Sequence, residues 1–593
     1  MSIIVQKFGG TSVATTEKIL SAARKAIKAQ QDGHQVVMVV SAMGKNTDTL
    51  VSLAHELMDR PPAREMDMLL STGEQVSVAL TAMAIVSLGH KAVSLTGAQI
   101  GIRTDNAFGK ARIISISTDR MQKLLDDGNI VIAAGFQGID EDFNITTLGR
   151  GGSDTTAVSL AAVLGANCEI YTDVDGVYTA DPRVVKTARK VSHTSYDEML
   201  ELASLGAGVM HSRSIEFAKK FNVPVHVRNS QVDNEGTLIS TVTEDPSRGV
   251  SGAAITLDEA RITLTGVPNK PGSSNAIFSS IAQANITVDM IVQDAGADGL
   301  SNISFTVPSS DLAPTLEAVQ PIGEQLDIQS ISHRDNVSKI SVVGIGMAQQ
   351  SGVSDRMFRA LAENDINIHM ITTSQIKISV LVDRDQAMNA IYAVHNTFEL
   401  DRTNPEAVPA ESQQAKADAD PAAAANELQG LEELSITDVS LDTTQATISI
   451  QGVADTPGIA ATIFEKVAQE NIVVDMIIQS YLDQTDIASL SFTVDRQDVE
   501  RTLAAINAMK NDVPFQHVAS NPAVAKLSVS GIGLRSHTGV AIRMFESLAE
   551  AGLNIEMINT SEVRVNVVVD DSQGADGLKA LNKAFADVMP SAG

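Results

Sequence analysis

The chain has no tryptophan, a single cysteine, and aromatic residues that make up only 3% of it. One cysteine, Cys168, cannot close an internal disulfide, which points to a reducing compartment. Basic side chains are scarce beside acidic ones, 44 against 72, and the net charge of −28 argues against a nucleic-acid partner, whose phosphates call for clustered Lys and Arg. A pocket can still be locally basic inside an acidic protein, so anionic substrates stay open. No uninterrupted apolar run approaches the roughly 20 residues of a membrane span. Only Ile3, Ile4 and Val5 precede Gln6 and Lys7, so neither membrane anchorage nor a signal peptide is expected, and the reading is cytoplasmic. Apolar content is ordinary, 44% of 593 residues, enough for about three to five domains.

Residues 1–248 alternate β-branched apolar runs with helical patterns. Val36–Val40, Ile130–Ala133 and Val223–Val227 have strand length, and "TTEKILSAARKAIKAQ" puts Ile19, Ala23, Ala26 and Ile27 on one helical face behind a Thr15 or Thr16 cap. This predicts an α/β domain of three layers, helix, sheet and helix, with a mainly parallel sheet. The second half repeats instead. "VPNKPG" (267–272) returns as "VADTPG" (453–458), and "NITVDMIVQ" (285–293) as "NIVVDMIIQ" (471–479). A weaker repeat inside each copy relates "NITVDMI" to "INIHMITTS", which predicts four βαββαβ modules in two pairs, 249–400 and 435–593. Between them, residues 401–434 hold eight acidic and two basic residues, three prolines and no aromatic, the composition of a mobile linker.

Chemistry is concentrated in the first half. "KFGGTSV" (7–13) leaves a strand through two glycines, exposing backbone N–H groups beside Lys7. It reads as a phosphate cradle, although a plain strand-to-helix turn fits that stretch alone equally well. The Walker spacing is missing. "LGRGGSDTT" (148–156) is a second glycine loop opening a helix, and its Arg150 suits bidentate capture of a carboxylate. "STGE" (71–74) reads as a capped helix start carrying Glu74, and Ser41 and Thr47 of "SAMGKNTD" lie at a carboxyl edge of the sheet. In "IYTDVDGVYTADPR" (170–183) the calcium-loop register fails. The "GIG" turns at 344–346 and 531–533 are followed by Gln349 and Ser536 where a dinucleotide fingerprint needs glycine or alanine, which argues against a fused dehydrogenase.

"KFGGTS", "SAMGKNTD", "STGE", "GRGGSD" and "TDVDGVYTADPR", in this order, resemble aspartate kinase of the amino acid kinase family, and the paired modules resemble its ACT regulatory domains. The resemblance covers all but the linker. It implies transfer of a phosphoryl group from ATP, with Mg²⁺, to the β-carboxylate of L-aspartate, opening the route to lysine, threonine and methionine under feedback by lysine or threonine. On that resemblance Lys7 and Asp154 are catalytic. Ser41, Thr47, Glu74, Arg150 and Ser153 bind aspartate. Lys7, Phe8, Gly9, Gly10, Thr172, Asp173, Tyr178, Asp181 and Arg183 meet the nucleotide. Asn269, Val288, Asp289 and Gln293 would line one effector site and Asp455, Val474, Asp475 and Gln479 its duplicate, with Asn367, Ile368, Asn554 and Ile555 as further effector contacts. No protein-only metal site is expected, and a homo-oligomer through ACT edges is. Many family members carry lysine where this chain has Gly208, while His211 reads as packed or solvated rather than catalytic. A glutamate-type amino acid kinase and an inactive amino acid sensor are the competing readings.

Overall fold

The computed structural model describes residues 2–206, 209–295, 299–350, 352–404, 432, 434–482, 487–534 and 539–589. Gly208, Ser536 and most of the predicted linker lie outside them. The chain forms two compact units: Met1–Tyr178 with Lys190–Asp245 and Glu406–Glu433, and Thr179–Arg189 with Pro246–Pro405 and Leu434–Gly593.

In the first unit, β1 (Ile3–Phe8) pairs in parallel with β2 (Gln35–Val40) on one side and with Asn167–Thr172 on the other. The eight-stranded sheet continues outward from both, with one antiparallel pair, Val225–Asn229 against Thr237–Ser240. The strand order turns back beside β1, so the ends of β1 and Asn167–Thr172 open a crevice of the kind where α/β sheets hold ligands. One sheet face is covered by α1 (Thr16–Gln31), capped by the Thr15 hydroxyl, and by α2 (Ala63–Ser87). The other carries α3 (Gly152–Val163), buried almost all round. Three-layer packing follows, as the alternation in sequence required.

One expectation fails here. Glu74 does not start a helix: α2 begins at Ala63, and "STGE" lies in its middle. The glycine that suggested a boundary is a packing device, since a Cβ on Gly73 would sit 2.8 Å from the Cβ of Ala42. Among the described residues α2 is also the one helix long and apolar enough to cross a membrane, yet Asp67, Ser71, Glu74, Ser77 and Thr81 are buried along it inside the unit.

The second unit holds a continuous sheet of 14 strands. The first and third modules keep the predicted βαββαβ order, while the second and fourth lack a last strand of their own. Strand Gly252–Pro268 pairs along its second half with Leu300–Pro308, while its first residues, Gly252–Thr256, pair with Lys339–Val343. The second module therefore takes its last strand from the segment preceding the first. Ser435–Asp442 does the same for the fourth by pairing with Val524–Ile532. The copies are also joined crosswise. Asp289–Ala295 meets Met557–Thr560, and Met370–Thr373 meets Val474–Leu482, so edges expected to seek another chain are paired within this one. The "GIG" glycines serve close backbone approach: a Cβ on Gly344 would lie 2.4 Å from the Gly249 carbonyl.

Each copy sets a lysine in the sheet, fully buried in the first and half-buried in the second. Lys339, 2% exposed, pairs with Asp289 at 2.5 Å and Glu259 at 3.1 Å. Lys526 pairs with Asp475 and, at 3.6 Å, Asp442, all three more exposed. Removing one partner of a buried pair leaves an uncompensated charge and costs about 3–5 kcal/mol. Lys339→Met should therefore destabilise the protein by about that amount, and Lys526→Met by about 1–2 kcal/mol because water reaches its partners; denaturant unfolding of the two variants measures the difference.

Candidate active site

Lys7 points out of the carboxyl end of β1 and is 9% exposed. An ammonium this buried needs a carboxylate, and Asp154, in the first turn of α3, supplies one at 2.5 Å. Beside it, the chain at Gly10 has no room for a side chain, and Gly9 packs directly against the lysine. A Cβ on Gly10 would lie 2.8 Å from the Ala42 carbonyl, and one on Gly9 3.5 Å from Lys7 Nζ. The Ser41 amide donates to the Phe8 carbonyl and the Gly44 amide to that of Gly10, which fixes the first glycine loop against the loop after β2.

Glu74 reaches this junction from α2. Its Oε1 accepts from the Ala42 amide at 2.9 Å, while Oε2 is buried with no partner among the described residues. Burial pushes its pKa up to about 7, opposed by the Ala42 hydrogen bond. The second loop is held by left-handed glycines: Gly149 at φ 77° and Gly151 at φ 70°. A Cβ on Gly151 would collide with the His211 side chain at 2.3 Å, so His211 is a packing surface for the loop that presents Arg150. Arg150 itself is exposed, and Ser153 is buried against Gly135. Ser41 and Thr47 are partly exposed at the neighbouring edge.

The nucleotide contacts assigned from sequence divide. Thr172 and Asp173 stand at the carboxyl end of the strand beside β1, hydrogen-bonded to each other at 3.2 Å, with Tyr178 further along the same unit. Phe8 is corrected: it is fully buried and stacks on Tyr171 at 4.7 Å, so its ring is core and only its backbone faces the loop. Asp181 and Arg183 belong to the second unit and bind each other through both carboxylate oxygens. Sequence reasoning missed two residues. Asp67, 1% exposed, accepts from the Thr147 amide and hydroxyl and from the Gly109 amide, bracing the chain just before the second glycine loop. Phe136 adopts φ 69°, a strained conformation for a non-glycine residue, and its carbonyl accepts from the Leu148 amide. The Gly-Phe pair at a strand exit was the only available signal.

In the second unit the effector candidates regroup across the copies. Asn269 and Gln293 meet Asn554 and Ile555: Asn554 Nδ2 donates to Asn269 Oδ1 at 2.8 Å, and Gln293 Nε2 to the Ile555 carbonyl at 2.7 Å. The duplicate is formed by Asp455 and Gln479 with Asn367 and Ile368, with matching bonds of 3.1 and 2.9 Å, around a small cleft. Val288 and Asp289 line a separate cleft with Thr287 and Glu562, as Val474 and Asp475 do in their copy, and both aspartates are engaged by the sheet lysines. That separates these four residues from the sites assigned to them.

Glu74 has a consequence for stability. Its folded-state pKa lies above the ordinary carboxylate value, so the folded state favours the protonated form. Stability is lost as pH rises from the unfolded value through about 7, a cost of at most about 3 kcal/mol at pH 8. Glu74→Gln should thus stabilise the free protein at pH 8 but not at pH 4, as followed by denaturant midpoints.

Comparison with known proteins agrees with this architecture. Residues 2–229 match the amino acid kinase family model, and 262–321, 340–398, 448–509 and 527–585 match an ACT domain model. The aspartokinase of Bacillus sp. (strain MGA3) is 50% identical over 402 residues, covering 68% of this chain and 98% of the relative. Aspartokinase 2 of Bacillus subtilis is 49% identical over 410 residues, covering 69% and 100%. The crystal structure of aspartate kinase from Synechocystis aligns over 99% of this chain and 98% of its own, at 39% identity and a TM-score of 0.52. That of E. coli aspartokinase III in complex with aspartate and ADP, at 24% identity and a TM-score of 0.57, covers 67% of this chain and 99% of its own and shares the fold. The chain therefore belongs to the aspartokinase family, with an amino acid kinase domain followed by four ACT domains.

Proposed function

We propose that this chain transfers the γ-phosphoryl group of ATP to the β-carboxylate of L-aspartate, giving 4-phospho-L-aspartate as the first step towards lysine, threonine and methionine, in the cytoplasm. The observation that carries the reading is the junction where Lys7, Asp154, the tight glycine backbone and the unpartnered oxygen of Glu74 come together. The attacking carboxylate is ionised at neutral pH, so no general base is needed and no histidine has to supply one. What the site must do is hold two anions in line. Lys7 and the Gly10 amide face the phosphates, whereas the Gly9 amide donates to the Tyr171 carbonyl. Arg150 holds the substrate α-carboxylate and Glu74 Oε2 its ammonium group, with Ser41, Thr47 and Ser153 along the path. Thr172, Asp173 and Tyr178 take the nucleotide. Mg²⁺, carried on the ATP phosphates, would neutralise charge there.

Regulation by lysine or threonine belongs to the clefts between copies. A structure of E. coli aspartokinase III contains lysine and aspartate, which supports the class of effector. The two clefts differ in a way that favours lysine at the second. Asp455 stands where the first has Asn269, and Gln479 Oε1 has no partner among the described residues, whereas its counterpart Gln293 Oε1 accepts from Ser274 at 2.7 Å. The residue equivalent to Ser274 is Ala460, which lines the second cleft. Two extra acceptors suit a ligand with a second ammonium group. A homo-oligomer remains part of the reading, with Ser435–Asp442 and His517–Asn521 as the outermost strands of the sheet.

ATP turnover with L-aspartate or L-glutamate, the acyl phosphate trapped by hydroxylamine, tests the reaction. Trapping should require aspartate, fall with lysine or threonine, and need at least tenfold more aspartate in Arg150→Ala, which loses a charge-assisted bidentate contact. Glutamate-dependent trapping, or none, would remove the assignment. For the effectors, Asp455→Asn in the full chain should weaken lysine binding by about tenfold and spare threonine, measured by calorimetry. A 435–593 fragment would not serve, because Asn367 and Ile368 complete the cleft.

A further inference from the structure

Arg213, the second residue of the helix Ser212–Lys220, turns its guanidinium inward, its side chain 14% exposed. Nη1 donates to the Leu148 carbonyl at 2.5 Å and Nη2 to the Ala111 carbonyl at 2.6 Å. Leu148 immediately precedes the Gly149–Arg150–Gly151 loop. The remaining donors grip a carboxylate from far along the chain: Nε reaches Glu432 Oε1 at 2.5 Å, and Nη2 also donates to Glu432 Oε2. The Ile113 amide donates to Glu432 Oε2 at 2.6 Å, and the Glu432 side chain is 7% exposed. A bidentate guanidinium plus a backbone N–H, closed off from water, is a built carboxylate receptor. Two neutral carbonyls cannot cancel the charge of a buried arginine, so the hole demands an anion. Glu432 lies in the acidic stretch predicted to be a linker, and it is the residue of 405–433 that the structure describes.

We propose that Arg213 and the Ile113 amide form a carboxylate-binding site whose occupant is Glu432 of this chain's own linker, and that its occupancy positions the loop presenting Arg150. The bound carboxylate neutralises Arg213 and leaves the rest of its fork to hold the Leu148 carbonyl, one peptide from the first left-handed glycine of the loop. Loss of Glu432 frees the guanidinium to turn towards water and releases that carbonyl. The effect falls on substrate affinity rather than on the transferring groups, because Lys7 and Asp154 are held separately. This consequence for aspartate rests on the proposed reaction; the docking itself does not.

Hydrogen exchange and kinetics on the full chain test both parts. In Glu432→Ala, peptides covering residues 111–116 should exchange about tenfold faster. The aspartate KM should rise roughly three- to tenfold while kcat stays within about twofold. Acetate at tens of millimolar should refill the hole and reverse both changes. Arg213→Lys, which keeps the charge but loses the fork, should show the same faster exchange without acetate rescue. Unchanged exchange in Glu432→Ala would overturn the docking. Faster exchange that acetate does not reverse would overturn carboxylate recognition, and faster exchange with an unchanged KM would overturn the positioning role. Exchange is read without turnover, so an enzyme that fails to use aspartate would sink the reaction and leave the docking judged on its own.

Discussion

A cation taken out of water calls for a carboxylate, and at four such cations of this chain the carboxylate comes from a distant segment. Lys7 on the first strand is met by Asp154 at the start of a helix. Lys339 is met by Glu259 and Asp289, Lys526 by Asp475, and Arg213 by Glu432. Each pair closes a loop of dozens to hundreds of residues, and breaking it would strand a charge whose desolvation costs several kcal/mol. An excess of 28 negative charges makes such partners abundant. Geometry decides which acid is used, and the acid chosen ties the local fold to its site.

The first unit was legible because its signals are local. Thr15 as a cap, the strand at Val36–Val40 and the glycine loops depend on neighbours within a few residues, and the structure places them where the pattern does. Glu74 was misplaced because Gly73 serves contact with Ala42, some 30 residues earlier in sequence, and a lone glycine reads alike as boundary and as packing surface. Phe8 was assigned to the nucleotide from the family resemblance, which matches a motif position and does not say whether its ring or its backbone meets the ligand.

In the second unit the duplication was plain, but the pairing was not. Sequence adjacency suggests that modules one and two form a unit. Instead, strands borrowed from before each copy and edges joined across copies knit four modules into one sheet. Strand partners at separations near 100 to 270 residues leave no periodic trace, because alternation fixes which side chains share a face and says nothing about which edge they meet. The same blindness grouped Asp289 with Gln293 on one strand, although residues four apart there lie on one face only if the strand is regular. The register slips between Asp289 and Val292.

The two kinds of site use unsatisfied polarity differently. At the junction of Lys7 and Glu74 a carboxylate oxygen is buried with no partner among the described residues and Gly10 excludes a side chain, so the free protein carries a desolvation cost there. In the clefts between ACT copies polar side chains are occupied with each other, the Asn554 amide on Asn269 and the Asn367 amide on one oxygen of the Asp455 carboxylate. A ligand entering there exchanges one set of hydrogen bonds for another and gains little from each. Its affinity must come from groups with no substitute inside the protein, which in the second cleft are the charge of Asp455 and the bare oxygen of Gln479. An amino acid bound by exchange can leave as readily as it enters, as a sensor requires. On the proposed reaction, a substrate bound to bare groups would be held against a fixed frame, as phosphoryl transfer between two anions requires.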